Sequence, residues 1–473
     1  MFLTSWLHSI RHAFQRNRRL TRRTLRQQRG RQRRVLMAPA GIERLEDRTL
    51  LTSLVVQQPA LGFGISLTNQ DVDTDLDGVA DLTDIVIESL TIDANSGAGV
   101  SIVLSGETTD VNGNGVLDPL VLGSLTIESS AIQALNGAGV SIVFTNVQIG
   151  SIVIDTSSVA GGGSAAGISI ILNGSLVTSE LAVTNSTASA TNGRGLTVRL
   201  DGSDVRNPNI ASPGEFTAMF NLANSTFTGA SLTLVNGSFI EQSMIVGNTI
   251  NRPAGLGAAG PGLSLNLTDS DAPAMRIAAN QIAGVGVNLT RSPLLKQSPA
   301  DTGFTIDTNV IRLNSAGGGI DFNLTDSNLE TTILGNTIQG NAGHGIRFQT
   351  LDTDPAADSL LVTGRIEANT IDSNAGDGIR FSPVVQSNVF GAFPTIFDFG
   401  TAGGRDGAIR GNTISNNTGA GINAPLTNFV DFVAEITGNR IGPNSSFGIN
   451  VDAQDLGPIR TVNFDVVIGG PRE

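Results

Sequence analysis

The sequence predicts an all-β solenoid, a parallel β-helix of about twelve coils, on three observations. Gly supplies 57 of 473 residues and charged residues only 15%, a turn-rich composition that long helices would not have. A four-residue unit, a small residue or Gly followed by apolar, polar and apolar residues, recurs through the body of the chain. A second unit built on Asn-x-Ile recurs alongside it. Stacked coils produce such periodicity, because one repeat alone cannot bury its apolar face.

The chain begins with a basic arm. Residues 1–48 hold 13 of the 29 Lys+Arg against Glu43, Glu46 and Asp47, so this stretch is +10 and the remaining 425 residues are −23. From Arg11 to Arg34 no apolar run approaches the roughly 20 residues of a membrane span, and Met1–Ile10 and Val35–Ile42 do not make a standard signal peptide. By charge alone the arm suits a solvated leader or a nucleic-acid-binding tail; the acidic body, which repels phosphate, favours the first. The segment Gly41-Ile-Glu-Arg-Leu-Glu-Asp-Arg-Thr-Leu-Leu-Thr-Ser53 follows. Through Leu45, Glu46, Arg48, Leu50 and Leu51, with Asp47 in place of proline, it resembles the LEPR-XLL signature of exported bacterial proteins. That resemblance implies an extracellular or cell-surface location and divides the chain into a leader, 1–53, and a body, 54–473.

Two Asp-rich stretches come next. In Asp73-Thr-Asp-Leu-Asp-Gly-Val-Ala-Asp-Leu-Thr-Asp84, the carboxylates Asp73, Asp75, Asp77, Asp81 and Asp84 fall at positions 1, 3, 5, 9 and 12. Gly78 stands at position 6, and the carbonyl of Val79 is available at position 7. Clustered carboxylates repel unless a hard cation stands between them, so Ca²⁺ is the expected ligand; without metal the stretch is an Asp/Gly turn. A reduced copy places Asp110, Asn112, Asn114 and Asp118 at the same spacing, with Val121 at the position of Asp84. The first loop resembles the calcium loops of EF-hand, dockerin and thrombospondin-type repeats. The copies start 37 residues apart and their adjacent Gly-rich strands 40 apart, which places both on neighbouring coils.

The repeats proper run from Gly99-Val-Ser-Ile102 through Gly139-Val-Ser-Ile142, Gly319-Ile-Asp-Phe322, Gly345-Ile-Arg-Phe348 and Gly378-Ile-Arg-Phe381 to Gly448-Ile-Asn-Val451, twelve units in all. Side chains alternate along a strand, so the first and third apolar positions face inward and the polar one outward. Phe322, Phe348 and Phe381 should then stack inside the solenoid. The second series, Asn248, Asn280, Asn309, Asn336, Asn369, Asn412 and Asn439, is spaced 32, 29, 27, 33, 43 and 27 residues apart. It predicts an internal amide ladder at a sharp turn, with insertions taken up elsewhere in each coil. No six-residue period runs through the chain, which disfavours a left-handed hexapeptide helix. An array of β-sandwiches would not keep one phase. Both series resemble the right-handed parallel β-helix repeats of pectate-lyase-like proteins over about residues 85–468.

The outward positions read Ser101, Ser141, Ser169, Thr197, Thr233, Ser264, Asn288, Asp321, Arg347, Arg380, Asn423 and Asn450. The charged stretch, with His344 and Asp377 at its strand entrances, is the candidate catalytic set: Asp321, His344, Arg347, Asp377 and Arg380. Stacked arginines repel, which favours interleaved carboxylates or an anionic ligand. In polysaccharide-active β-helices the cleft often follows such a face, so the resemblance implies as an alternative a lyase or hydrolase of acidic polysaccharide, in which Arg347 or Arg380 would be the proton-abstracting or substrate-neutralising group and Asp321 would orient it. Asp–Arg pairs that only solvate a strand are the other reading. Tyr is absent and Trp6 lies in the arm, leaving no Tyr or Trp platform for sugars. With Cys absent there is no thiolate site, and His8 and His12 are too remote from His344 for a three-histidine centre. These observations favour a non-catalytic exported protein with a structural, adhesive or carbohydrate-binding role, calcium-stabilised, with polysaccharide or cell-envelope partners, no nucleic acid and no transmembrane segment.

Overall fold

Each coil of the body passes through three sheets, crossing the first in one strand or two, before returning to it. In the computed structural model the chain divides into two units, Met1–Leu50 and Leu51–Glu473. The described residues, all in the second, are 53–56, 64–73, 80–106, 118–208, 218–253, 260–292, 294, 303–315, 317–353, 360–385, 395–400, 407–426, 430–453 and 463–469. The LEPR-XLL-like segment before Ser53 lies outside them. The sheets contain 17, 12 and 13 strands and are parallel, which makes the body a right-handed parallel β-helix. One coil reads Asp84–Glu88, Thr91–Ala94, Val100–Ser105; the next reads Leu120–Glu128, Ala131–Ala134, Val140–Thr145. Corresponding strands pair in register, Asp84 with Ser124, Thr91 with Ala131 and Val100 with Val140. The third sheet has one strand more than the twelve sequence units: Ile65–Thr68, which pairs Ile65 with Val100. Among the described residues no helix is long and apolar enough to cross a membrane.

The alternation works as the unit requires. Ile320, Ile346 and Ile379 are register partners and fully buried, and Phe322, Phe348 and Phe381 lie inside beside them. Phe322 and Phe348 stack 4.8 Å apart at 3°, and Phe348 and Phe381 stack 5.5 Å apart at 6°. Phe399 meets Phe348 edge-on. The glycine opening most units is needed for closeness: a Cβ on Gly345 would sit 2.4 Å from Ile371 Cγ2 and 2.5 Å from the carbonyl oxygen of Gly378.

Two units are displaced by two residues from the sequence reading. Thr197 pairs with Ser231, not Thr233, and Ser264 pairs with Gly286, not Asn288. A shift of two keeps the same face outward, so alternation could not reveal it. Beyond Phe381 the strand beginning at Ile379 continues to Val385, and Thr395–Phe399 joins the first sheet with Phe397 and Phe399 fully buried.

The corners explain why the coils stack with one phase. Between the first and second sheets every coil from Ser89 to Gly438 carries a residue with φ between 48° and 69°. The residue after it is Leu90 in the first coil, then in succession Ser130, Ser157, Ser186 and Ser225, then the asparagines from Asn248 to Asn439. Each serine Oγ accepts the backbone N–H of its counterpart one coil earlier at 3.0–3.2 Å. Each asparagine Oδ1 does the same at 2.8–3.0 Å. The buried amide N–H groups of this corner thus have an acceptor in the next coil, which removes the several-kcal/mol cost of burying them unpaired.

Candidate functional site

Asp321, Arg347 and Arg380 are direct register partners on the outward face of the third sheet, on three successive coils. Their neighbours on the same face form the rest of the site. Asn288 Nδ2 donates to Asn266 Oδ1 at 2.7 Å, Asn323 Nδ2 to Asn288 Oδ1 at 2.9 Å, and Arg347 Nη2 to Asn323 Oδ1 at 3.2 Å. Arg347 Nε donates to Asp321 Oδ1 at 3.0 Å, while the other oxygen of Asp321 accepts the Gly318 N–H at 2.9 Å. Beyond it, Arg380 turns the other way. Its Nη1 donates to Asp377 Oδ2 and its Nε to Ser382 Oγ, at 2.9 and 2.8 Å. Asp377 Oδ2 also accepts from Asn423 Nδ2 at 2.9 Å, and Asn450 continues the line to Asn423 at 3.0 Å.

The five charged or titratable residues proposed from sequence therefore converge, but not as two arginines facing a ligand. Each guanidinium is drawn to its own carboxylate, so repulsion between the stacked arginines is relieved by protein groups. Asp377, with a side chain only 6% exposed, is the best buried of them; its Oδ1 accepts the Ala420 N–H at 2.7 Å. His344 stands between the two pairs. Its Nδ1 accepts the Asp377 N–H at 2.9 Å, and Asp377 Oδ2 lies 3.4 Å away. Burial lowers the pKa of His344 below the ordinary imidazole value, an effect opposed by Asp377 and reinforced by Arg380 and Arg347. Neutral His344 with Nδ1 accepting carries its proton on Nε2, where it is a donor rather than a base.

The amide strip Asn266–Asn288–Asn323 was not singled out from sequence as a site. Its signal is present: Asn-Leu-Thr occurs three times, at 266–268, 288–290 and 323–325, in third-sheet register. A separate groove of about 250 Å³ crosses the second sheet near Gln133, Gly161 and Ser189 and has no charged lining.

In sequence the two Asp-rich stretches fall between a third-sheet and a first-sheet strand on adjacent coils, the first between Ile65–Thr68 and Asp84–Glu88 and the second between Val100–Ser105 and Leu120–Glu128. Val72 carbonyl oxygen accepts the N–H groups of Asp81 and Leu82 at 2.8 and 3.3 Å, which closes the base of the first loop. Asp73 is buried beside that closure. Asp84 heads a first-sheet strand, and its Oδ1 accepts from Ser124 Oγ at 2.6 Å, so one oxygen of the twelfth position is engaged by the next coil. Asp75, Asp77 and Val79 lie outside the described residues, as do Asp110, Asn112 and Asn114; Asp118 closes the second loop through its carbonyl, which accepts from Asn146 Nδ2 at 3.1 Å. Among the described residues no group of three or more His, Cys, Asp and Glu is arranged to hold a metal ion. Comparison of the chain with family models, with curated proteins and with solved structures finds no match.

Proposed function

We propose that this is a non-catalytic, exported or cell-surface β-helix protein that uses the outward face of its third sheet for adhesion or carbohydrate binding, with Ca²⁺ held by the Asp-rich loops of its N-terminal coils. The observation that carries the reading is the internal engagement of the charged cluster. A lyase needs a base aimed at a substrate proton, yet Arg347 and Arg380 each point a guanidinium N–H at a protein carboxylate, Asp321 and Asp377, at 3.0 and 2.9 Å. His344, the remaining base, has Nδ1 occupied by a backbone N–H. A face of fixed amides and compensated ions retains donors and acceptors for hydroxyl-rich ligands. The parallel β-helix, the resemblance of its repeats to those of pectate-lyase-like proteins and the resemblance of residues 41–53 to the LEPR-XLL signature support an exported, polysaccharide-facing role.

The test is a panel of immobilised neutral and acidic polysaccharides assayed for retention of the protein and for chain cleavage, with and without Ca²⁺. Retention without cleavage, weakened in the Arg347→Ala, Arg380→Ala double variant, is expected. Cleavage of an acidic polysaccharide that the same variant abolishes would replace this reading with the lyase. Titration calorimetry with Ca²⁺ on Asp73→Ala and Asp77→Ala proteins tests the loop separately, and unchanged binding would remove the ion.

A further inference from the structure

The contact between His344 and Asp377 spans two coils and has a property that the ligand-binding proposal does not use. The corner that leads into the third sheet carries an amide ladder, in which Asn314, Asn341, Asn374 and Asn417 each donate a backbone N–H to the asparagine Oδ1 of the next coil, and a second set of acceptors stands three residues beyond Asn341 and Asn374. At His344 and Asp377 the side chain itself takes the backbone N–H of the next coil: His344 Nδ1 accepts from Asp377 and Asp377 Oδ1 accepts from Ala420. Gly376 packs against the imidazole so closely that a Cβ there would lie 2.5 Å from Nδ1, which fixes the ring against the backbone it serves.

A proton on Nδ1 would turn that acceptor into a donor and point it at another donor. The nearest acceptor is then Asp377 Oδ2 at 3.4 Å, which already holds Arg380 Nη1 and Asn423 Nδ2, both at 2.9 Å. We propose that His344 is an acid-sensitive latch: neutral, it fastens the Asp377 backbone and leaves the Asp377 carboxylate to Arg380; protonated, it releases the backbone and competes with Arg380 for that carboxylate. The charged groups around the ring are Asp321 and Arg347 on the preceding side and Asp377 and Arg380 on the following one. The arginines oppose protonation and the aspartates favour it, while burial adds to the opposition.

The sign follows from linkage. A histidine whose folded pKa lies below its unfolded value stabilises the fold fully above about pH 6.5, and that stabilisation falls away as pH drops from there toward the folded pKa. The consequence is local acid loosening of one corner, with Arg380 freed on the outward face.

Hydrogen exchange at the Asp377 amide of the full chain, corrected for intrinsic pH dependence, tests this. Protection should be constant above about pH 7 and fall by about tenfold or more toward pH 4, tenfold being the population change per pKa unit. The Gly345 and Ile346 amides, bonded to the carbonyls of Asp377 and Gly378, should keep theirs and so report an intact coil. His344→Asn supplies a non-titrating oxygen acceptor near the Nδ1 position and should hold Asp377 protected at every pH. His344→Phe should leave it unprotected at every pH. A flat wild-type profile, or an equal acid loss in His344→Asn, would overturn the latch whatever ligand the face binds.

Discussion

Replacing Asn336 by Ala should cost far more than replacing Asn439, although both occupy the same position of the repeat. Asn336 Oδ1 accepts Asn309 N–H at 2.9 Å and Asn309 Nδ2 at 3.0 Å, while its own Nδ2 donates to Ile306 carbonyl oxygen at 2.8 Å and Asn369 Oδ1 at 3.0 Å. Truncation strands polar groups on both sides of the rung, each worth about 1–3 kcal/mol when buried unpaired. Relaxation between coils recovers part of the sum, so a loss of about 3–5 kcal/mol is expected. Asn439 is half-buried and closes the series, accepting from Asn412 and donating to Ile409 carbonyl oxygen; water can replace part of this, and about 1–2 kcal/mol is expected. Asn336→Ser should fall between, because serine fills the same position at Ser225, where its Oγ accepts the Ser186 N–H and donates to the Ala223 carbonyl oxygen but has no second arm to reach the side chain of the next rung. Solenoids need not unfold in one step, so native-state hydrogen exchange at the Asn309 and Asn412 amides is the assay, with denaturant melts beside it. Equal, sub-kcal/mol effects at Asn336 and Asn439 would refute the ladder as a source of stability.

Other consequences are sharper at single groups. Thr350 is fully buried with no partner for its Oγ1 among the described residues; Thr350→Val should stabilise by about 1 kcal/mol in thermal or denaturant melts, since an unpaired hydroxyl is removed at nearly constant volume. The donors Ser373, Asn416 and Ser415 outweigh partial burial and hold the Asp372 carboxyl below the usual carboxylate range, and Thr184, Thr156 and Asn185 do so for Asp155. Their contributions are present above about pH 3.9 and disappear as pH falls through the folded values, so an Asp155→Asn, Asp372→Asn protein should lose less stability on acidification than wild type in pH-resolved melts. Inserting Gly-Ser-Gly between Gly335 and Asn336 should destabilise the coil far more than the same insertion between Thr353 and Leu360, as measured by melting temperature; equal shifts would argue against fixed corners.

The alternating unit made the third sheet, its inward phenylalanines and the meeting of Asp321, Arg347 and Arg380 legible, because period two and recurrence both survive insertions. What escaped was whatever alternation cannot encode. A slip of two residues at Thr233 and Asn288 leaves each on the same face, so only inter-coil pairing fixes the register. The serine rungs from Ser130 to Ser225 were hidden because serine is common at exposed positions, whereas asparagine beside Ile stood out. A second amide ladder, Asn314, Asn341, Asn374, Asn417 and Asn444, lies five residues beyond the first and merges with ordinary Asn/Gly turn composition. The cluster's residues were foreseen but its partition was not: whether Arg380 reaches Asp321 or Asp377 depends on rotamers, and Asp377 is only three residues away on its own strand entrance.

The placement of insertions follows from the same bonds. At the corner between the first and second sheets, side chains reach from each coil to the one before it from Ser130 to Asn439, and the corner has the same short length in every coil. An added residue there would carry the rung out of reach of its neighbour and expose two coils to unpaired polar groups. At the corner from the third sheet to the first, serines form rungs only in limited runs, Ser175–Ser203–Ser238 and Ser270–Ser292–Ser327. Both Asp-rich stretches come here in sequence before the first run, and 354–359, 386–394, 427–429 and 454–462 after the second, while 209–217 and 401–406 separate two first-sheet strands of one coil and 254–259 separates a second-sheet from a third-sheet strand; none falls at the first-to-second corner. Variation therefore collects where the ladder is absent, which places the proposed calcium loops along one edge of the same sheet whose outward face carries His344, Arg347 and Arg380.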